Sequence, residues 1–164
     1  MLDLVLVLVF LGCTEPLREG EEAPPFRLDG LEGGSLALEE QRGKVVALHF
    51  WATWCPPCLE ELPRLLTFFG KQDPDRFVLV AVNVDKGGPA RVKAFLESWG
   101  LEHPGYLDPG GKLARRYGTI RFPETYILDR RGILRRKVVG AADWSDPFWE
   151  RFLQDVYDGV VTQG

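Results

Sequence analysis

The chain has 164 residues, 45% of them hydrophobic and 27% charged, with a formal net charge of −4. That length suits one domain with a substantial core. The charge balance excludes the basic footprint that a nucleic-acid partner demands, and the chain holds no internal repeat or low-complexity segment.

Leu4 to Leu11 is an unbroken apolar run, too short to span a bilayer and the size of a signal-peptide core. Gly12-Cys13 follows it. A small residue and then cysteine after such a core resembles a lipoprotein signal, in which Cys13 becomes the lipidated first residue. Asp3 stands where that pattern expects positive charge, and Phe10 and Leu11 are bulky for it. An uncleaved membrane-targeting segment and a cytosolic chain therefore stand as alternatives. Residues 1–13 read as the targeting segment. Residues 14–25, polar, acidic and proline-bearing, read as a tether, and 26–164 as the folded domain. Export places the cysteines in an oxidising compartment.

In the domain, Phe26 to Asp29 and Ser35 to Leu38 are strand-like pieces around a glycine-rich turn, which predicts a β-hairpin. A helical turn is expected from Leu38 to Arg42. Val45 to Trp51 is a buried strand. Pro56 to Gly70 is a helix whose apolar side is Leu59, Leu62, Leu65, Leu66 and Phe69, with Pro63 expected to kink it. Phe77 to Val84 is apolar without alternation, which suits a central parallel strand. Helices are predicted over Ala90 to Trp99 and Lys112 to Tyr117. Pro123 to Leu128 and Ile133 to Gly140 are strands joined by a turn. Pro147 to Val161 is an amphipathic helix capped by Ser145 or Asp146. Strands alternating with helices, then a hairpin and a helix, give a mixed α/β sheet covered on both faces.

The chemistry is concentrated in Trp51-Ala52-Thr53-Trp54-Cys55-Pro56-Pro57-Cys58. A strand running into Cys-x-x-Cys at a helix start builds a reversible dithiol/disulfide. Residues i and i+3 share a helix face, so the two sulfurs can bond. Cys55 faces the unpaired N–H groups and positive end of the helix, which favour its thiolate and make it the nucleophile. Cys58, one turn further in, resolves the mixed disulfide. Pro56 and Pro57 are tolerated in a first helical turn, yet remove two donors that would otherwise stabilise the thiolate. Trp51 and Trp54 serve packing and the apolar rim of the site. A zinc site would need four ligands, and only Cys13, His49 and His103 remain, none in a second pair. A purely structural disulfide across so short a loop would constrain the unfolded chain very little.

On these residues the chain resembles a thioredoxin-fold protein, and more narrowly the membrane-tethered TlpA/ResA/DsbE-like thiol–disulfide oxidoreductases. The matching stretch runs from about Pro24 to Gly140. Its blocks are the motif and its strand, Val80-Ala81-Val82-Asn83-Val84, and Phe122-Pro123-Glu124-Thr125-Tyr126-Ile127-Leu128-Asp129. The segment before Pro123 is longer than in plain thioredoxin, as in this subgroup. The resemblance implies a thioredoxin-like fold: a mixed central sheet flanked by helices, with an N-terminal β-hairpin and an inserted helical segment.

It also implies roles. Pro123 matches a cis proline beside the disulfide, leaving Phe122 N–H and C=O to pair with an extended substrate. Glu124 resembles the cytochrome c maturation branch; a solvated charge is the alternative. His49 occupies the place of a buried group behind the second cysteine and can relay its proton or be a hydrogen-bonded core histidine. Asp85 tunes the dithiol or is a strand-end carboxylate.

The expected function is an exported thiol–disulfide oxidoreductase, a reductase of client disulfides such as those of apocytochrome c or a copper-site protein. It would be anchored to the outer face of the cytoplasmic membrane and supplied by a membrane electron-delivery protein. A monomer is expected, with no metal and no cofactor beyond the Cys55–Cys58 pair. A copper-binding metallochaperone on the same fold expects one more residue between the cysteines and a distant histidine, where only His103 follows. A thiol peroxidase expects threonine and proline where Ala52 and Leu48 stand.

Overall fold

The computed structural model describes residues 15–102 and 105–161. The apolar run, Cys13 and His103 lie outside them. In chain order the elements are β1 (Arg27–Gly30), β2 (Ser35–Ala37), a 3-10 turn (Leu38–Gln41), β3 (Val45–Trp51), α1 (Pro56–Phe69) and β4 (Phe77–Asn83). Then follow α2 (Pro89–Ser98), β5 (Tyr106–Leu107), α3 (Lys112–Arg116), β6 (Glu124–Leu128), β7 (Leu134–Val139) and α4 (Pro147–Asp158).

The seven strands form one sheet in the order β2-β1-β5-β4-β3-β6-β7. β3 pairs with β4 in parallel and with β6 antiparallel. All seven residues of β3 are buried, so the unalternating apolar run of the sequence is explained by cover on both faces. Each large apolar side chain buried there contributes about 1.5–3 kcal/mol. The strand therefore holds the loop that follows it, Ala52 to Cys55, at the end of the most buried part of the sheet.

α1 continues through Pro63, whose ring removes one helical donor, and buries Cys58, Glu61, Leu62 and Leu65. The Asp146 carboxylate caps α4 by accepting from Phe148 N–H at 2.8 Å. Gly159 ends it at φ 75°, a left-handed position that favours glycine.

Two parts depart from expectation. β5 is absent from the sequence reading, because two residues show no periodicity. It joins the hairpin to β4, pairing antiparallel with β1 and parallel with β4. The expected tether is largely packed. Leu17 and Ala23 are buried. Gly20 and Ala23 N–H groups donate to the Leu134 and Gly132 carbonyls, and Leu134 N–H donates to Glu21. The Tyr117 hydroxyl and Arg116 guanidinium donate to the Pro24 and Pro25 carbonyls. β7 is a sheet edge whose free backbone groups need partners, and this polar segment supplies them. Pro16 lies against Gly118: a Cβ there would come within 2.7 Å of Pro16, and Gly118 has φ 78°.

Candidate active site

The site is built at the junction of β3 and α1. Cys55 is the N-cap of α1, and its sulfur accepts a hydrogen bond from Cys58 N–H at 3.3 Å. Pro56 and Pro57 occupy the first turn and have no N–H, so this amide is the first helical donor available to the sulfur. The two cysteines form a disulfide with Cα atoms 5.3 Å apart. Cys58 is fully buried, whereas Cys55 keeps 4% exposure. An attacking thiolate must be reached from outside, and Cys55 is the more accessible of the two.

The loop before Cys55 is clamped from β4. The Asp85 carboxylate accepts from the Thr53 hydroxyl at 2.5 Å and from Thr53 N–H at 3.3 and 3.4 Å. Asp85 N–H in turn donates to the Asn83 side chain at 2.9 Å. Asp85 is thus buried and fixes backbone two residues before Cys55. Thr53 was not singled out in the sequence, because its partner lies 32 residues away.

The Phe122–Pro123 bond is cis. Phe50 on β3 pairs with Glu124 on β6, which brings the residues before Glu124 to the end of β3 where the cysteines sit. Phe122 packs edge-on against Trp54 with ring centroids 5.9 Å apart. Trp54 is 64% exposed, so these rings form an apolar rim open to solvent. Neither the N–H nor the C=O of Phe122 is hydrogen-bonded among the described residues.

His49 is fully buried on β3, with Nδ1 2.9 Å from the Thr125 hydroxyl, two residues past the cis proline. Glu124 is fully buried, which corrects the reading of a solvated charge. Its Oε2 accepts from the Tyr126 hydroxyl at 2.9 Å and lies 3.2 Å from Lys137 Nζ. A carboxylate taken out of water needs such partners, and β7 provides the cation. Burial, together with this neighbouring carboxylate, pushes the Tyr126 phenol well above its usual range, so it stays a donor.

The sequence does not mark Glu61 as a buried acid. Glu61 lies three residues after Cys58 on the same face of α1. Its Oε1 accepts from Trp144 Nε1 at 2.5 Å and from Ala142 N–H at 3.0 Å. Burial raises its carboxyl above the usual glutamate range, and these two neutral donors offset only part of that. The signal that could have found it is a charge inside the buried stripe of Cys58, Leu62 and Leu65. Among the described residues no group of three or more His, Cys, Asp or Glu side chains is placed to hold a metal ion.

A strand-loop-helix dithiol beside a cis proline is the arrangement of a protein that exchanges disulfides. The model of the AhpC/TSA family matches residues 20–137. The chain belongs to the AhpC/TSA family. It is 33% identical over 131 residues to the thiol-disulfide oxidoreductase ResA of Bacillus cereus, spanning 80% of this chain and 75% of that one. Among solved structures it resembles a protein described as the thiol:disulfide interchange protein DsbE of Chlorobium tepidum. There the TM-score is 0.76 at 31% identity, over 86% of this chain and 99% of the other. It also resembles the exposed lipoprotein thioredoxin Etrx1 of Streptococcus pneumoniae, with TM-score 0.66 at 29% identity, over 80% of this chain and 99% of that one. The fold is thioredoxin-like, the chain is a thiol–disulfide oxidoreductase, and Cys55 and Cys58 form a disulfide in it.

Proposed function

We propose that this oxidoreductase reduces disulfides of client proteins outside the cytoplasm. Cys55 thiolate attacks a client disulfide, forming a mixed disulfide and releasing one client thiolate, which takes up a proton. Cys58, giving up its proton, then attacks the Cys55 sulfur. The Cys55–Cys58 disulfide forms and the second client thiol leaves. Two electrons pass to the client, and a dithiol donor must return them. A membrane electron-delivery protein fits that role. No cofactor beyond the cysteine pair is needed, and the protein acts as a monomer.

The observation that carries the reading is the single Cys58 amide aimed at the Cys55 sulfur in a nearly buried helix cap. It favours the thiolate of the more accessible cysteine while leaving the other in the core. The Phe122-Pro123-Glu124-Thr125 block, which resembles the cytochrome c maturation branch, supports a client of the apocytochrome c type, and a copper-site protein is the other candidate. The apolar run ending in Gly12-Cys13 supports anchoring on the outer face of the cytoplasmic membrane. Among the described residues no helix is long and apolar enough to cross a membrane.

The test is reduction of a protein disulfide by the reduced protein. Cys55→Ser is expected to abolish turnover, and full activity in that variant refutes the assignment. Equilibration with glutathione or dithiothreitol gives the direction. A potential near or below about −270 mV marks a reductase, and one near about −120 mV an oxidase.

A further inference from the structure

Beside the redox pair lies an open groove of about 480 Å³. One wall is apolar: Trp54, Ile120 and Phe122, with Ile120 84% exposed. The other is cationic: Lys86, Arg91 and Arg115, all exposed. These three come from the β4–α2 loop, from α2 and from α3. They are brought together by the segment inserted between β4 and the cis proline. None of them forms an ion pair with a carboxylate among the described residues; Arg115 donates only to the Gly110 carbonyl at 2.6 Å. Among the described residues the only acid in the lining is Asp85, and its oxygens are held by Thr53. The groove is therefore locally positive on a chain whose net charge is −4. Arginine and lysine at the lip of a cleft raise the local concentration of an oppositely charged ligand.

We infer that this groove selects client segments carrying aspartate or glutamate within a few residues of the cysteine offered to Cys55. The occupant is an extended peptide. Its apolar side chains lie against Trp54 and Ile120, and its carboxylates meet Lys86, Arg91 and Arg115. The inference rests on the client-reductase reading and adds a charge preference to it.

The experiment uses three synthetic peptides with the same internal disulfide, flanked by acidic, neutral amide or basic residues. Two quantities are measured. One is the second-order rate of exchange with the reduced protein. The other is binding of the serine-for-cysteine peptides to the oxidised protein by fluorescence anisotropy. The acidic peptide is expected to exceed the neutral one by about tenfold in both at low salt. The ratio should fall below about twofold at about 1 M salt, where the screening length is about 3 Å. In K86Q/R91Q/R115Q it should fall to the same level at low salt. The ratio is internal to each preparation, so partial unfolding of the variant cancels from it.

A ratio near one in the unmodified protein overturns the inference, as does a tenfold ratio that survives in the triple variant. Inorganic phosphate that erases the preference at constant ionic strength shows a small-anion site and overturns it too. If no peptide exchanges while binding keeps its acidic preference, the reductase reading fails and the groove assignment stands. Rapid exchange with equal ratios has the reverse meaning.

Discussion

Two carboxylates at opposite ends of the sheet are buried in different ways. Glu61, near the redox pair, is held by an indole N–H and a backbone N–H and has no cation in its hydrogen bonds. Asp129, in the turn between β6 and β7, accepts from the Arg131 and Ile133 amides and from both Nε and Nη2 of Arg135. Burial raises the Asp129 carboxyl, but the Ile133 amide, the Arg135 guanidinium and the Arg131 amide outweigh it and hold it below the usual range. Burial of Glu61 is not outweighed. The far end of the sheet is thus built for stability. The other end carries a carboxyl that burial makes easier to protonate than an ordinary glutamate.

The comparison breaks most visibly at Asp129. Asp129→Ala leaves Arg135, largely buried, without its partner and opens the turn, and should cost about 3 kcal/mol at neutral pH in urea unfolding of the oxidised protein. A loss below about 0.5 kcal/mol would show that the turn is not stabilised as the hydrogen bonds suggest. Glu61→Gln should act in the opposite direction. The amide oxygen keeps both donors and removes a buried charge, so the variant gains about 1 kcal/mol at mildly alkaline pH.

The two sites also titrate with opposite sign. Glu61 favours the protonated form when folded, so its contribution is complete at low pH and lost as pH rises through its raised folded value. Asp129 favours the ionised form, so its contribution is present at neutral pH and lost as pH falls through its lowered folded value. The advantage of Glu61→Gln should therefore vanish in acid, and a constant advantage at all pH would remove the titration argument. The smallest effect belongs to Trp54→Ala. A side chain 64% exposed should change stability by no more than about 0.5 kcal/mol, and a larger loss in urea unfolding would make it a packing residue rather than a rim.

What could be read from the sequence follows from how local its cause is. β3 and α1 were legible because an unbroken apolar run and a proline-bearing helix start are properties of neighbouring residues. The same holds for the hairpin, for β6 and β7, and for the Asp146 cap. β5 was not legible, since two residues become a strand only through β1 and β4 on either side. Residues 15–25 have the composition of a linker, and it is the free edge of β7, with Tyr117, Arg116 and Gly118, that makes them part of the domain. In the site, Cys55 and Cys58 announced themselves by spacing. Glu61 was overlooked among charges assumed to face water. The Thr53–Asp85 clamp and the cationic wall needed contacts between segments far apart in the chain.

The contact between Pro16 and Gly118 has a practical consequence. Gly118 immediately precedes Thr119 and Ile120, which line the groove. Pro16 therefore packs against the residue just before the segment that lines the groove. Val161, by contrast, lies with Arg131 and Ile133 at the Asp129 end of the sheet. A fluorophore attached at Pro16 would stand beside the groove wall and could report on its occupancy, whereas one at Val161 would stand at the opposite pole.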